Sequence, residues 1–138
     1  MELSFKDLLE KVEKCPPDNY KNLECEAFRW VFDDIENEDN FKPQGIKNPK
    51  RLNTNNANYC AILALSFFNS EKKARSRFEM LLEQMGENAK KALGTKIAKG
   101  YLDLDDGIGE DANSSGHFNY HPKKDYNFTE KFEIISIL

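Results

Sequence analysis

Two histidines, His117 and His121, stand four residues apart in the sequence HFNYHP. The alternation predicts a strand, on which the two side chains share a face about 13 Å apart. That spacing does not allow one ion to bridge them, and the three cysteines show no ligand spacing, so we predict no metal site. We expect His117 to act as a general acid or base and Asn119 and His121 to bind ligand. A structural, hydrogen-bonded histidine is the alternative.

Arg29 lies within FRWVF, residues 28–32. Aromatic and β-branched residues at this density favour a strand over residues 27–32, although residues 22–35 also fit a helical face. On a strand, Arg29 points away from the face that carries Phe28 and Trp30. It would then bind an anion in a cleft or, alternatively, face solvent or a structural ion pair.

Residues 41–58 form the least regular segment, with two prolines, a glycine and the run NTNNAN. Turn formers at this density predict a long loop, and long loops are often functional. We expect its basic residues Lys50 and Arg51 to bind an anionic ligand, the alternative being a plain surface connection.

The acidic loop of residues 103–116 resembles a calcium loop at first sight. Counted from Asp103, however, position 5 is Gly107 and position 12 is Ser114, where an EF-hand needs oxygen ligands. The chain also lacks a phosphate-binding loop and a nucleophile elbow. We therefore predict no cofactor.

The organising unit is residues 59–86. A continuous apolar run predicts a strand over residues 59–68, covered on both faces. Ser66 interrupts this run and would position a ligand by hydrogen bond if the strand lines a cleft. A helix over residues 71–85 follows, capped by Asn69 or Ser70 and ended by Gly86.

The remaining segments complete a single α+β domain over residues 1–138. An apolar stripe predicts a packing helix over residues 3–14, which Ser4 would cap and Pro16 and Pro17 would end. Further strands are predicted over residues 95–104, 117–121 and 128–138. We expect a mixed or antiparallel sheet carrying two main helices.

Composition limits the function classes. The net charge of −4 argues against a general nucleic-acid binder. No apolar run approaches the roughly 20 residues that span a membrane. Three cysteines without a CxxC pair, and no signal peptide, predict a reduced, cytoplasmic protein in which Cys60 is a buried thiol.

The segments FRWVF (28–32) and ALSFFNSEKKA (64–74) carry a resemblance to ADP-ribosyltransferase-like folds, and the layout is similar to their small RES-type relatives. In that superfamily an Arg or His on the first core strand and a Ser or Tyr on a middle strand hold the nicotinamide dinucleotide, and a late Glu often completes catalysis. The resemblance implies that Arg29 and Ser66 bind the dinucleotide. His117 stands where the carboxylate is expected, with Glu130 and Glu133 as substitutes.

These observations lead to two functional hypotheses. The first is a small cytoplasmic interaction protein of bacterial character, of the immunity or accessory type, that binds a protein partner. The alternative is an enzyme or sensor that handles a nucleotide or dinucleotide through Arg29, Ser66 and His117. Whether the protein is an enzyme stays open.

Overall fold

The computed structural model describes residues 1–53 and 59–138. In this part of the chain an antiparallel seven-stranded sheet has the spatial order β1-β5-β6-β3-β2-β4-β7. The strands are β1 (Lys21–Asn22), β2 (Cys25–Val31), β3 (Leu65–Phe68), β4 (Lys96–Leu102), β5 (Gly107–Gly109), β6 (His117–Pro122) and β7 (Phe132–Ile137). The helices are α1 (Lys6–Leu9), α2 (Gln44–Lys47), α3 (Tyr59–Ile62), α4 (Glu71–Met85), α5 (Asn88–Leu93) and α6 (Phe128–Lys131), and 3₁₀ helices span Glu38–Phe41 and Pro49–Asn53. The predicted α+β class is confirmed.

Both faces of the sheet carry buried residues, since successive side chains of each strand point to opposite sides. One face packs around Phe128 of α6, and its buried residues include Ala27, Val31, Phe67, Phe118 and Tyr120. The other packs against α4 through Ala74, and its residues include Phe28, Trp30, Phe68 and Ile97. The core therefore has two layers with the sheet between them.

Helix α4 forms where the sequence predicts it, because its ends are well marked. Ser70 accepts a hydrogen bond from the backbone N–H of Lys73 and so caps the first turn. Gly86 follows the last turn with φ of 64°, a conformation that glycine adopts without a steric penalty. Ala74 and Phe78 form the buried stripe.

Strands β2 and β3 separate near the middle of the sheet. Among the described residues they pair at a single position, Phe28 with Phe68. Strand β2 pairs with β4 along its whole length, and β3 pairs with β6 from Leu65 to Phe68. The sheet therefore contains a split, lined by the C-terminal half of β2 and the N-terminal half of β3.

The predicted N-terminal helix over residues 3–14 is wrong. Helix α1 has four residues, and Leu3 instead forms an isolated bridge with Lys123. Ser4 does not cap the helix, since its Oγ donates to the Lys123 carbonyl at 3.0 Å. Backbone pairing with the end of β6 outweighs the local helical pattern.

The predicted strand over residues 59–68 is also wrong in its first half. Residues Tyr59–Ile62 form α3, and β3 begins at Leu65. Ser66 is exposed, so the strand is not covered on both faces. A short apolar run does not distinguish a buried helix from a buried strand, which explains the error.

Two further segments contain more helix than predicted. The segment of residues 41–58 includes α2 and the 3₁₀ helix Pro49–Asn53, while residues 54–58 lie outside the described residues. In the C-terminal segment, residues 128–131 form α6. Strand β7 therefore begins at Phe132, four residues later than predicted. The described residues contain no helix with the length and apolarity to cross a bilayer.

Cys15 and Cys60 form a disulfide, so the predicted free thiol at Cys60 is wrong. The two residues are 45 positions apart, a separation that carries no local signature in the sequence. Cys25 is the free cysteine. The cysteine argument for a reducing compartment no longer applies.

Replacing both Cys15 and Cys60 with Ala should lower the free energy of unfolding by about 2–4 kcal/mol, because the open unfolded chain gains conformational entropy. Urea unfolding followed by circular dichroism measures the change. Cys25→Ala is the control and should lower stability much less. Equal losses in the two variants would contradict the assignment.

Candidate functional site

Arg29 projects from β2 into the split between β2 and β3. Its Nε donates to the Asn40 carbonyl at 2.7 Å, and one terminal nitrogen donates to the Ser66 carbonyl at 2.8 Å. The guanidinium carbon lies 6.0 Å from the Phe41 ring centroid and 5.9 Å from that of Phe67. The side chain therefore leaves the face that carries Phe28 and Trp30, as the alternation in the sequence predicts.

The charge of Arg29 is not compensated by a carboxylate. Among the described residues it forms no ion pair, and its two hydrogen-bond acceptors are neutral carbonyls. Burial lowers the pKa of Arg29 to about 10, because a desolvated cation is less stable than a hydrated one. At neutral pH the guanidinium remains charged, and its positive potential is available to an anion.

Asn40 holds the segment that packs against Arg29. It is 2% exposed, and its Nδ2 donates to the carbonyls of Asp34 at 2.8 Å and Ile35 at 3.2 Å. Its Oδ1 accepts from the backbone N–H of Phe32 at 2.7 Å. The acidic segment after β2 is thus a folded turn, closed by one buried amide that also presents its own carbonyl to Arg29.

Two adjoining cavities open on this region, and we call them together the Ser66 cleft. Both are lined by Trp30, Ser66 and Phe68. The smaller has a volume of about 260 Å³ and is also lined by Arg29, Phe32, Asp39, Asn40, Gln44 and Lys47. The larger has a volume of about 660 Å³ and is also lined by Lys73, Ser76, Arg77, Met80, Ser114, Ser115 and His117.

The cleft has an excess of positive charge, although the chain carries a net charge of −4. Its lining includes one acidic residue, Asp39, and four basic residues, Arg29, Lys47, Lys73 and Arg77. Lys47 has a lowered pKa, first through burial and then through the neighbouring Arg29. Like charges held this close raise the local positive potential.

The floor of the cleft is aromatic and rigid. The Trp30 ring lies 5.2 Å from that of Phe68 and 5.4 Å from that of Phe78. Its Nε1 donates to the Ala74 carbonyl at 2.9 Å, which fixes the indole against α4. An aromatic surface between two cationic cavities can stack a planar group while the cations bind attached acidic groups.

His117 lies at the larger cavity, with its ring 5.6 Å from that of Phe68. Burial lowers its pKa, Glu110 opposes that change and Arg77 adds to it. The imidazole is therefore neutral at pH 7. A neutral imidazole can accept a proton or a hydrogen bond from a ligand.

The structure brings three of the predicted site residues to one cleft. Ser66 borders both cavities, Arg29 the smaller and His117 the larger. Lys50 is exposed on the 3₁₀ helix Pro49–Asn53, away from the cleft lining, and the Arg51 side chain lies outside the described residues. Asn119 does not line the cleft, and His121 is buried near the disulfide.

Lys73 and Arg77 were not predicted as site residues. They lie four positions apart on α4, so they share one face of that helix. The spacing of Lys73 and Arg77 can be read from the sequence. The loop and strand that these two residues face cannot. Lys47 likewise gains its position from α2, which the loop prediction did not include.

Comparisons with known proteins give no matching family model, no similar curated protein and no similar solved structure.

Asn40→Ala should lower the free energy of unfolding by roughly 2–3 kcal/mol, because it leaves the Phe32 N–H and the Ile35 carbonyl without their partner, while the Asp34 carbonyl keeps the Asn37 N–H. Asn37→Ala is the matched control in the same turn. Asn37 accepts from the Asp39 N–H at an exposed position, so its loss should cost about 1 kcal/mol or less. Urea titrations compare the two, and equal effects would contradict the role assigned to Asn40.

Proposed function

We propose that the protein binds a small anionic ligand of nucleotide-like composition in the Ser66 cleft. The observation that carries this proposal is the set of four cations, Arg29, Lys47, Lys73 and Arg77, around an aromatic floor. The larger cavity has the volume usual for small-molecule sites, which is about 300–1,000 Å³. Phosphate groups would face the cations, and the base would contact Trp30, which is half-buried and packs on the buried Phe68.

The polar groups of the cleft suit such a ligand. The exposed Ser66 hydroxyl lies between the two cavities and can hydrogen-bond a ribose or phosphate oxygen. Ser114 and Ser115 line the larger cavity and add further hydroxyl groups. Neutral His117 is placed to accept a proton from a ligand hydroxyl. The resemblance of residues 28–32 and 64–74 to ADP-ribosyltransferase-like folds favours a dinucleotide as the first ligand to test.

An interaction with a protein partner is a second candidate, and strand β7 favours it. This strand is the last of the sheet order, and Ile135 and Ile137 are 37% and 67% exposed. Although Arg75 donates to the Ile137 carbonyl near the end of this strand, an edge strand with exposed apolar side chains can pair with an extended segment of another protein. Affinity capture with Ile137→Lys tests this, with Leu104→Lys as an equally apolar, exposed control. A partner retained by both variants would contradict an interface on β7.

The ligand proposal predicts a change in the fluorescence of Trp30, which is the sole tryptophan of the chain and lines both cavities. We expect ADP and a nicotinamide dinucleotide to alter its emission and adenosine to bind more weakly. A ligand present at 100 times its Kd should add about 2.7 kcal/mol to the free energy of unfolding.

The matched variants lie on α4. Lys73→Gln with Arg77→Gln should weaken nucleotide binding at least about tenfold, the loss of roughly 1.4 kcal/mol. Lys72→Gln removes one positive charge at an exposed position of the same helix, off the cleft, and should bind as the wild type does. The proposal fails if millimolar nucleotide leaves both the emission and the unfolding midpoint unchanged, or if the double variant binds normally.

Binding of a dinucleotide should tighten as pH falls below about 6.5, the ordinary pKa of histidine. Protonation of His117 adds a cation to the larger cavity, and its lowered pKa places this change on the acid side of 6.5. Phosphodiester groups do not titrate there, so the change belongs to the protein. His117→Gln should flatten the plot of Kd against pH, and an unchanged plot would remove His117 from the site.

A further inference from the structure

Three side chains with metal-ligand chemistry meet away from the Ser66 cleft. Cys15, Cys60 and His121 each offer one ligand atom, and these atoms all lie within 4.8 Å of one another. They come from the segment after α1, from α3 and from β6. The partners of His121 are thus two cysteines distant in sequence and not His117, which is why sequence spacing did not indicate the cluster.

His121 has the burial and the position of a metal ligand. It is 1% exposed, and its Nε2 lies 3.8 Å from the Sγ of Cys60. In a tetrahedral zinc site with bonds of about 2.3 Å to sulfur and 2.0 Å to nitrogen, these two atoms are about 3.5 Å apart. The Tyr20 ring, 5.7 Å away, packs against the imidazole and limits its movement.

The segment that carries Cys15 is anchored at both ends independently of the disulfide. Before it, the Ser4 N–H donates to the Pro122 carbonyl and the Lys124 N–H to the Glu2 carbonyl, both at 2.9 Å. After it, β1 pairs with β5. Both anchors fasten the segment to strands next to His121. Cleavage of the disulfide therefore leaves both ends of the segment that carries Cys15 attached beside His121.

We propose that reduction of the Cys15–Cys60 disulfide converts this cluster into a Cys₂His site for Zn²⁺. A dithiol reductant supplies two electrons and two protons, breaks the S–S bond and is itself oxidised to a disulfide. Zn²⁺ then binds both sulfurs as thiolates, releases two protons to solvent and takes the lone pair of His121 Nε2. Water fills the fourth position. The two thiolates neutralise the ion, so little net charge is buried.

The donor set decides the metal class. Two thiolates and one imidazole suit Zn²⁺, whereas Mg²⁺ and Ca²⁺ require oxygen ligands. The sulfurs must move apart to about 3.8 Å, which rotation of the two side chains can supply. The oxidised protein lacks the thiolates, so the cluster binds zinc in one redox state and holds a covalent link in the other.

The test is zinc binding by the full chain in both redox states. Protein reduced with a water-soluble phosphine should take one equivalent of Zn²⁺ from a chromophoric chelator, and oxidised protein should bind at least about a hundredfold more weakly. Co²⁺ in place of Zn²⁺ should give a thiolate charge-transfer band in the reduced protein. Equal zinc binding by the two forms, or no charge-transfer band, would overturn the proposal.

Matched variants identify the ligands. Cys15→Ser, Cys60→Ser and His121→Gln should each weaken zinc binding by at least about tenfold, since each removes one first-sphere donor. Cys25→Ser and His117→Gln remove the same residue types outside the cluster and should bind as the wild type does. If His121→Gln does not fold, the two serine variants decide the result. Loss of binding in the controls, or its retention in the serine variants, would overturn the site.

Discussion

Where β2 and β3 diverge and no longer pair through their backbones, the guanidinium of Arg29 supplies the hydrogen bond between them. It donates to the Ser66 carbonyl on one side and to the Asn40 carbonyl on the other, so one side chain joins a strand and a turn. Without a donor here, a carbonyl of a central strand would lose its partner. The cleft opens where the strands separate, and the arginine that bridges the separation supplies one of its four positive charges.

The parts of the fold that the sequence predicted are those governed by local rules. Helix α4 has a serine cap and a terminal glycine, and β2 has β-branched and aromatic residues with Arg29 on the expected face. The errors arise where distant contacts dominate. Residue 3 pairs with residue 123, and Cys15 bonds with Cys60, neither of which can be inferred from neighbouring residues.

In the candidate site, too, single residues could be predicted from local sequence, whereas their arrangement depends on distant contacts. Arg29 and Ser66 could be selected because each is a polar residue within a predicted strand of apolar residues, and His117 because it is one of two histidines in the chain. Their common cleft could not, because it depends on the order of strands and on where β2 and β3 cease to pair. Lys73 and Arg77 share a helix face in the sequence, but nothing there shows which loop that face meets. For the same reason His121 could not be matched with cysteines on two other segments.

Because β2 and β3 pair at one described position, the sheet consists of two hydrogen-bonded ladders that meet at its middle. On one side β1, β5, β6 and β3 form a ladder, and on the other β2, β4 and β7 form a second. The described hydrogen bonding between these half-sheets is limited to the Arg29 side chain and one pair of residues, and the buried side chains on the two faces supply the rest of the contact. A ligand bound in the split would contact both half-sheets and would therefore restrict their movement relative to each other.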